Sequence, residues 1–525
     1  MQTEETPVLV VGGSLVGLSA ALFLAWRGVR VIVVERHAGS SPHPRAIGFT
    51  PRTLELLRAV GLGERVPQVT HRGGKPRRIR IESLAGPWGE EVPWTPEAND
   101  PRGDLEHSPC KGAALAQDRL EPILRDRALE LGAELRPATE LLRFEQDGAG
   151  VTAIVRRRGG DEQAIRAAYL VAADGHKSAI RERLGIGRSG HGHIRTMGSV
   201  IFRADLERYR ESGFSQFVIQ QPGFEAFLTT YADGRWVLFF HDDVERDEAT
   251  LRAAIARAIG RSDVPVDIVA TGRFEISALI AERFSEGRVY LAGDAAHALP
   301  PNRGGYGANT GIEDAHNLAW KLEAVLTGAS WPRLLETYDA ERRPIAWLRH
   351  QQIFARPDFS AVTSARAGQP IFDDAAMELG QLYRSAAVLG AGPDLPPARR
   401  PEEWMGQPGT RAPHAWVQRA GRRVSTLDLF QRGWVLLSED ARWCAAARAA
   451  AGGVRLEALR IGSDVVDAAG TCAMLGIGRT GASLVRPDGY VAWRSVEGPG
   501  DVPEVLLAEV LERVAFARPG LPMKT

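Results

Sequence analysis

Residues 8–18 read Val8-Leu9-Val10-Val11-Gly12-Gly13-Ser14-Leu15-Val16-Gly17-Leu18, or VLVVGGSLVGL. Four apolar residues in a row fit a buried parallel strand. Gly12 and Gly13 permit a tight turn, and residues 15–27 carry apolar residues at Leu15, Leu18, Leu22 and Ala25, widened by Ala20, Ala21 and Leu24, which predicts a helix. Gly28 is placed to end it. Residues 29–34 form a second apolar, β-branched strand that ends at Glu35. Strand, glycine turn, helix, strand and terminal acid match the order of the dinucleotide fingerprint G-x-G-x-x-G with its ribose-binding acid. The middle glycine is replaced by Ser14. That change touches only the close approach of a pyrophosphate, and the serine hydroxyl could itself donate to phosphate, so a working site is expected. The alternative is a doubly wound sheet that binds no nucleotide.

The chain of 525 residues exceeds what one core supports, roughly 250–300 residues, so two or three domains are expected. Hydrophobic residues make up 44% and charged residues 25%, a globular balance that argues against extensive disorder. Lys plus Arg equals Asp plus Glu, 65 each, and no basic run is interleaved with aromatics. Nucleic acid and anionic membrane are therefore not expected partners. Cys110, Cys444 and Cys472 are the three cysteines, too far apart for CxxC or zinc spacing. No secretory leader or long apolar run appears, so a cytoplasmic protein is expected.

Two distant segments repeat the strand-into-glycine pattern. Residues 170–181 read LVAADGHKSAIR, and residues 289–309 read VYLAGDAAHALPPNRGGYGAN. The second ends in a glycine-rich loop before a long helix with apolar positions from Ile312 to Leu326, whose first-turn amides would face an anion. GGSLVG, ADGHKSAIR and GDAAHALPPNRGGYGAN, in this order, resemble the FAD-dependent aromatic hydroxylases of the para-hydroxybenzoate hydroxylase type, over roughly residues 6–395.

The resemblance implies a Rossmann-like FAD-binding α/β domain with an inserted β-sheet substrate domain. It places Gly12, Ser14, Leu15, Val16 and Gly17 at the pyrophosphate and Glu35, with Arg36 beside it, at the adenosine ribose. Arg45 would lie beside the flavin and Gln117 between phosphate and ribityl chain. Asp174 and Gly175 would lie near the pyrophosphate and the nicotinamide approach path, and Asp294 on the ribityl chain. Pro301, or Pro300, would pack at the flavin, and Gly304, Gly305, Tyr306, Gly307, Ala308 and Asn309 would hold its pyrimidine edge. The residues alone also admit plainer readings, with Glu35 a strand-end acid, Arg45 a solvated arginine and Asp294 a turn cap.

Residues 191–284 change to strands and turns and are expected to roof the flavin. Phe202, Phe214, Phe217, Phe224, Phe227, Tyr231, Trp236, Phe239 and Phe240 lie in them. Most should be sheet core, with some facing an aromatic substrate. Residues 393–413, rich in Pro and Gly, read as a linker. Beyond it, a strand, a helix, a hairpin turning at Pro487-Asp488-Gly489 and an amphipathic helix suggest a thioredoxin-like domain without its redox cysteines. The expected boundaries are 1–190 and 285–395 for the two parts of the FAD-binding domain, 191–284 for the substrate domain and 396–525 for the C-terminal domain.

The tail, LVRPDGYVAWR, resembles hydroxylases that tailor aromatic polyketides in antibiotic biosynthesis. The implied reaction is NADPH- or NADH-driven hydroxylation of a phenolic or polycyclic ring by dioxygen through a flavin C4a-hydroperoxide. Tyr231 and His241 are weak candidates for a general base, as are His191 and His193; a metal role for the last two lacks a third ligand. Baeyer–Villiger insertion, an FAD-dependent reductase and a non-catalytic aromatic binder remain alternatives, and monomer and homo-oligomer are both open.

Overall fold

The computed structural model describes residues 3–69, 77–92, 106–301, 306–356, 370–466 and 470–518. β1 (Thr3–Val11), α1 (Leu15–Trp26) and β2 (Val31–Val34) form the expected β-α-β unit. β1 pairs in parallel with β2 on one side and with the strand Glu162–Ala172 on the other. Glu162–Ala172 pairs in parallel with Val289–Leu291, and β2 with Glu134–Arg136. Val8 to Val11 and the whole of β2 are buried, which is why their apolar character is continuous rather than alternating.

This topology gathers segments far apart in sequence. Val11 pairs with Ala172, and Ala172 with Leu291. Gly12, Asp174 and Gly293 therefore follow the carboxyl ends of three adjacent parallel strands, where open α/β sheets bind ligands. Helices α2 (Pro51–Ala59), α3 (Gln117–Glu130), the short α4 (Ala179–Arg183), α6 (Tyr306–Leu326) and α7 (Thr337–Ala355) surround that edge.

The second sheet has eight strands, with the long antiparallel pair Arg188–Arg203 and Asp267–Ala281 toward one edge. It takes in Arg77–Ile81 and Trp88–Glu91 from the first segment, and His297–Ala298 beyond the insertion. α5 (Glu248–Ile259) covers one face, where Phe202, Phe217, Trp236, Leu238 and Phe240 are buried with Ile255 and Ile259. The opposite face meets the first domain through Ile201, Tyr231 and Val237, packed with Ala116 and Ile47. Strand alternation sorts the aromatics between the faces.

The C-terminal sheet runs Leu456–Arg460, Trp434–Ser438, Ala482–Val485, Val491–Ser495, with the first pair parallel and the others antiparallel. Helices Ala441–Ala450 and Pro503–Val514 pack together beside it. This is the order expected of a thioredoxin-like unit. Residues 393–413 do not behave as a free linker. Trp404, Thr410, Arg411 and Ala412 are buried, and Arg411 pairs with Glu55 of α2 at 2.6 Å. Pro and Gly there shape a docked crossing of the domain junction.

Candidate functional site

The glycine loop is built for close approach. Gly12 has φ +104°, and a side-chain carbon there would lie 2.2 Å from the Ala173 carbonyl oxygen. At Gly17 it would lie 1.8 Å from the Gly12 carbonyl oxygen, so the turn and the first turn of α1 close only on glycine. Leu15 and Val16 start the helix, and Ser14 is its N-cap residue without capping it through its side chain. The Ser14 hydroxyl instead donates to Glu121 Oε1 of α3 at 2.6 Å, so its proton is not free for phosphate. The first-turn amides of α1 remain the donor set toward an anion.

Glu35 ends β2 beside this loop. Its Oε2 accepts from the Gly13 amide at 2.6 Å and its Oε1 from the His37 amide at 2.7 Å. Arg36 points its guanidinium Nε to His37 Nε2 at 3.1 Å on the surface. The Arg45 amide donates to Gln117 Oε1 at 3.3 Å, and Arg45 Nη1 lies 3.8 Å from Asp294 Oδ2. Arg45, Gln117 and Asp294, widely separated in sequence, therefore share one rim.

Asp174 precedes Gly175, whose φ is +85°. Burial pushes the Asp174 carboxyl up, Oδ2 accepts from the Ile180 amide at 3.2 Å, and the buried Oδ1 has no protein partner. Arg181 of α4, fully buried, donates to the carbonyls of His176 and Ala295, each at 3.3 Å, and so joins the Asp174 and Asp294 segments. Val16 of α1 closes the group, because side-chain carbons at Gly293 and Gly311 would fall 2.7 and 2.5 Å from its Cγ2.

Pro301 is exposed, and Gly304 and Gly305 lie outside the described residues. Tyr306 opens α6 with its ring buried among helices, with Leu348, Phe354 and Met377, rather than along the rim. Gly307 and Ala308 are half-buried. The Asn309 carbonyl oxygen accepts from the Thr50 amide at 3.0 Å and the Thr53 hydroxyl at 2.6 Å, while Nδ2 donates to Gly48 O at 3.2 Å. Its side chain thus fastens α6 to α2.

On the roof, Phe227 and Phe239 lie 6.1 Å apart and Phe274 meets Phe239 edge-on at 5.7 Å, all half-buried on the face away from α5. Tyr231 is buried, burial pushes its phenol well above the ordinary range, and its hydroxyl donates to Pro44 O at 3.0 Å. It therefore anchors the Arg45 segment and is a poor proton acceptor. His241 is exposed beyond Phe240. His193 contacts Thr196 Oγ1 at 3.0 Å, and His191 stacks on His350 at 5.2 Å. Among the described residues no group of three metal-capable side chains occurs.

Two features escaped sequence reasoning. Glu121 reads as an ordinary helix acid but is buried beside Ser14. His43 fills the space over Gly272, where a side-chain carbon would lie 2.4 Å from Nε2, and Nε2 lies 3.3 Å from Ser199 Oγ. Burial, reinforced by Arg45, pushes the His43 imidazole down, so it is neutral near pH 7.

A glycine cradle at the edge of a parallel sheet is the arrangement of a nucleotide-cofactor enzyme. Comparison with known proteins gives the family. The FAD binding domain matches residues 5–352 and the aromatic-ring hydroxylase C-terminal domain matches residues 405–519. The chain belongs to the FAD-dependent polyketide and aromatic hydroxylases. It is 40% identical to tetracenomycin A2 monooxygenase-dioxygenase of Streptomyces glaucescens, over 99% of each chain. It is 41% identical to aklavinone 12-hydroxylase RdmE of Streptomyces purpurascens, over 98% of this chain and 100% of that one. Aklavinone-11 hydroxylase in complex with FAD and aklavinone superposes with a TM-score of 0.86 at 40% identity, covering 98% of this chain and 99% of the other. The flavin-dependent monooxygenase PieE, with FAD and substrate, gives 0.85 at 32% identity, with 98% and 99% covered. No helix among the described residues is long and apolar enough to cross a membrane.

The residues present fit FAD. The cradle excludes side chains at Gly12 and Gly17, and the unpartnered Asp174 Oδ1 sits where the three strands converge.

Proposed function

We propose that this chain hydroxylates a phenolic, polycyclic aromatic substrate of the polyketide kind, using FAD, dioxygen and NADPH or NADH. The observation that carries the reading is the convergence of Gly12, Asp174 and Gly293 at one sheet edge, in a domain whose Ile47 and Ala116 pack against the Phe239 face of the roof. Relatives named for aklavinone and tetracenomycin support a substrate of several fused rings. Bound FAD supplies hydride acceptance and oxygen activation, chemistry that side chains lack.

The chain supplies the rest. Amides of Leu15, Val16 and Gly17 hold the pyrophosphate, Glu35 the ribose, Asp294 the ribityl chain, and first-turn amides of α6 the pyrimidine edge. Arg45 is exposed and only loosely paired with Asp294, so its guanidinium is open to an anionic or polar partner at the rim. The roof aromatics stack the substrate and exclude water from the reacting ring. A phenolic proton lost on that side makes the ring a stronger nucleophile.

The test is turnover with a fused-ring phenol under isotopically labelled dioxygen. One labelled oxygen on a ring carbon, with stoichiometric NAD(P)H oxidation, is expected. A labelled ring-expanded ester would indicate Baeyer–Villiger insertion, and an unlabelled product a reductase.

A further inference from the structure

We propose that Ser14, Gln117 and Glu121 form one positioning unit of the FAD site, so that the serine interrupting the glycine fingerprint is required by this chain. The inference rests on the FAD reading of the cradle and concerns how this sequence holds it in shape.

Three segments meet at these side chains. Ser14 Oγ donates to Glu121 Oε1 at 2.6 Å. Gln117 Nε2 donates to Ser14 Oγ at 3.0 Å and to the same Glu121 Oε1 at 2.8 Å. Gln117 Oε1 accepts from the Arg45 amide at 3.3 Å. A continuous chain of hydrogen bonds thus runs from the Arg45 segment through α3 to the glycine loop. Glu121, 1% exposed, is its buried anchor, and Ser14, exposed on the cradle, is its outer end.

Each member depends on the others. Gln117 has both its donor and its acceptor ends engaged, and its orientation is set by Ser14 on one side and Arg45 on the other. A glycine at position 14 would give the pyrophosphate more room. It would also remove the one hydroxyl that links the loop to α3, strip a partner from a buried acid and release Gln117 to turn. Glu121 Oε1 would then accept from Gln117 alone, and an underused buried acceptor is costly. Serine at the second fingerprint position and glutamate four residues after Gln117 are therefore a matched pair.

The experiment is equilibrium dialysis of the flavin-loaded full chain, reading the FAD dissociation constant of wild type and four variants. Ser14→Gly and Glu121→Ala should each weaken FAD about tenfold. Glu121→Gln, which keeps an oxygen to accept both bonds, should stay within about threefold of wild type. The double variant Ser14→Gly with Glu121→Ala should be no worse than the weaker single one, as expected of residues acting together. A general folding defect would lower the melting temperature of the flavin-free variants, whereas a positioning role leaves it near that of flavin-free wild type. The proposal is overturned if Ser14→Gly binds FAD as tightly as wild type or tighter, or if the two losses simply multiply. Wild type that retains no FAD overturns the cofactor reading beneath it, a separate and recognisable result.

Discussion

The flavin cradle and the junction with the C-terminal domain use the same residue types in opposite ways. At the cradle rim, Arg45 and Asp294 are 3.8 Å apart, with side chains 62% and 42% exposed. At the junction, Glu341 of α7 receives Arg486 at 2.6 Å and Lys321 of α6 at 2.8 Å, all three fully buried. Asp488 accepts from Arg486 at 2.5 Å and from the Trp320 ring at 3.2 Å, and Tyr383 stacks on Tyr490 at 4.0 Å. Junction charges have exchanged water for fixed partners, whereas rim charges keep water and can exchange it for a cofactor. The hairpin that carries the RPDG sequence is therefore a clamp on α6.

The largest effect should come from breaking the clamp. Burial alone would push Glu341 up, but Arg486 and Lys321 hold its carboxyl well below the usual range. Glu341→Ala should destabilise the chain by about 3–5 kcal/mol, because it leaves the buried Lys321 without its carboxylate and Arg486 with Asp488 alone. Denaturant unfolding checks this, and a loss under about 1 kcal/mol would refute the clamp. At the cradle, Asp294→Ala should instead spare flavin-free stability and weaken FAD by roughly 10–100-fold, the value of a hydrogen bond to a charged group. Comparing melting curves with and without FAD separates these outcomes.

A smaller effect distinguishes the regions by pH. His414, beside the junction, is pushed down to about 4, first by burial and then by Arg411. The unfolded chain binds a proton there near pH 6.5, while the folded chain does not until pH falls to about 4. Stability is thus lost as pH drops through that window, by about 1.5 kcal/mol between pH 6.5 and 5. His414→Gln should flatten this part of the stability profile, and an unchanged slope would count against the assignment. The smallest change in stability should come from Arg45→Ala, under about 1 kcal/mol, since its pairing is exposed. The same variant should nonetheless slow substrate-stimulated NADPH oxidation at least several-fold, and unchanged turnover would remove Arg45 from the site.

Much of this contrast was legible in the sequence on the cradle side and little on the junction side. Gly12, Gly17 and Glu35 lie in one β-α-β unit, so spacing alone predicts their arrangement. Asp174 and Asp294 follow apolar strands, and parallel pairing then brings them to the same edge. The sequence offers Ser14 as a donor to phosphate, since its partner, Glu121, comes 107 residues later and looks like any helix acid. Asn309 sits in the right segment, but its side chain goes to Thr50 and Thr53, which no local pattern signals. Residues 393–413 were read as a linker because Pro and Gly report backbone shape, whereas docking depends on Arg411 meeting Glu55 across 356 residues. The roof aromatics could be sorted only once α5 was seen to cover one face.

The most direct test of the account is the visible spectrum of the purified chain, followed under air as NADPH is added with and without a fused-ring phenol. The cradle described here predicts a two-banded yellow flavin spectrum and NADPH oxidation strongly accelerated by the phenol. A colourless protein that takes up no added FAD would contradict it.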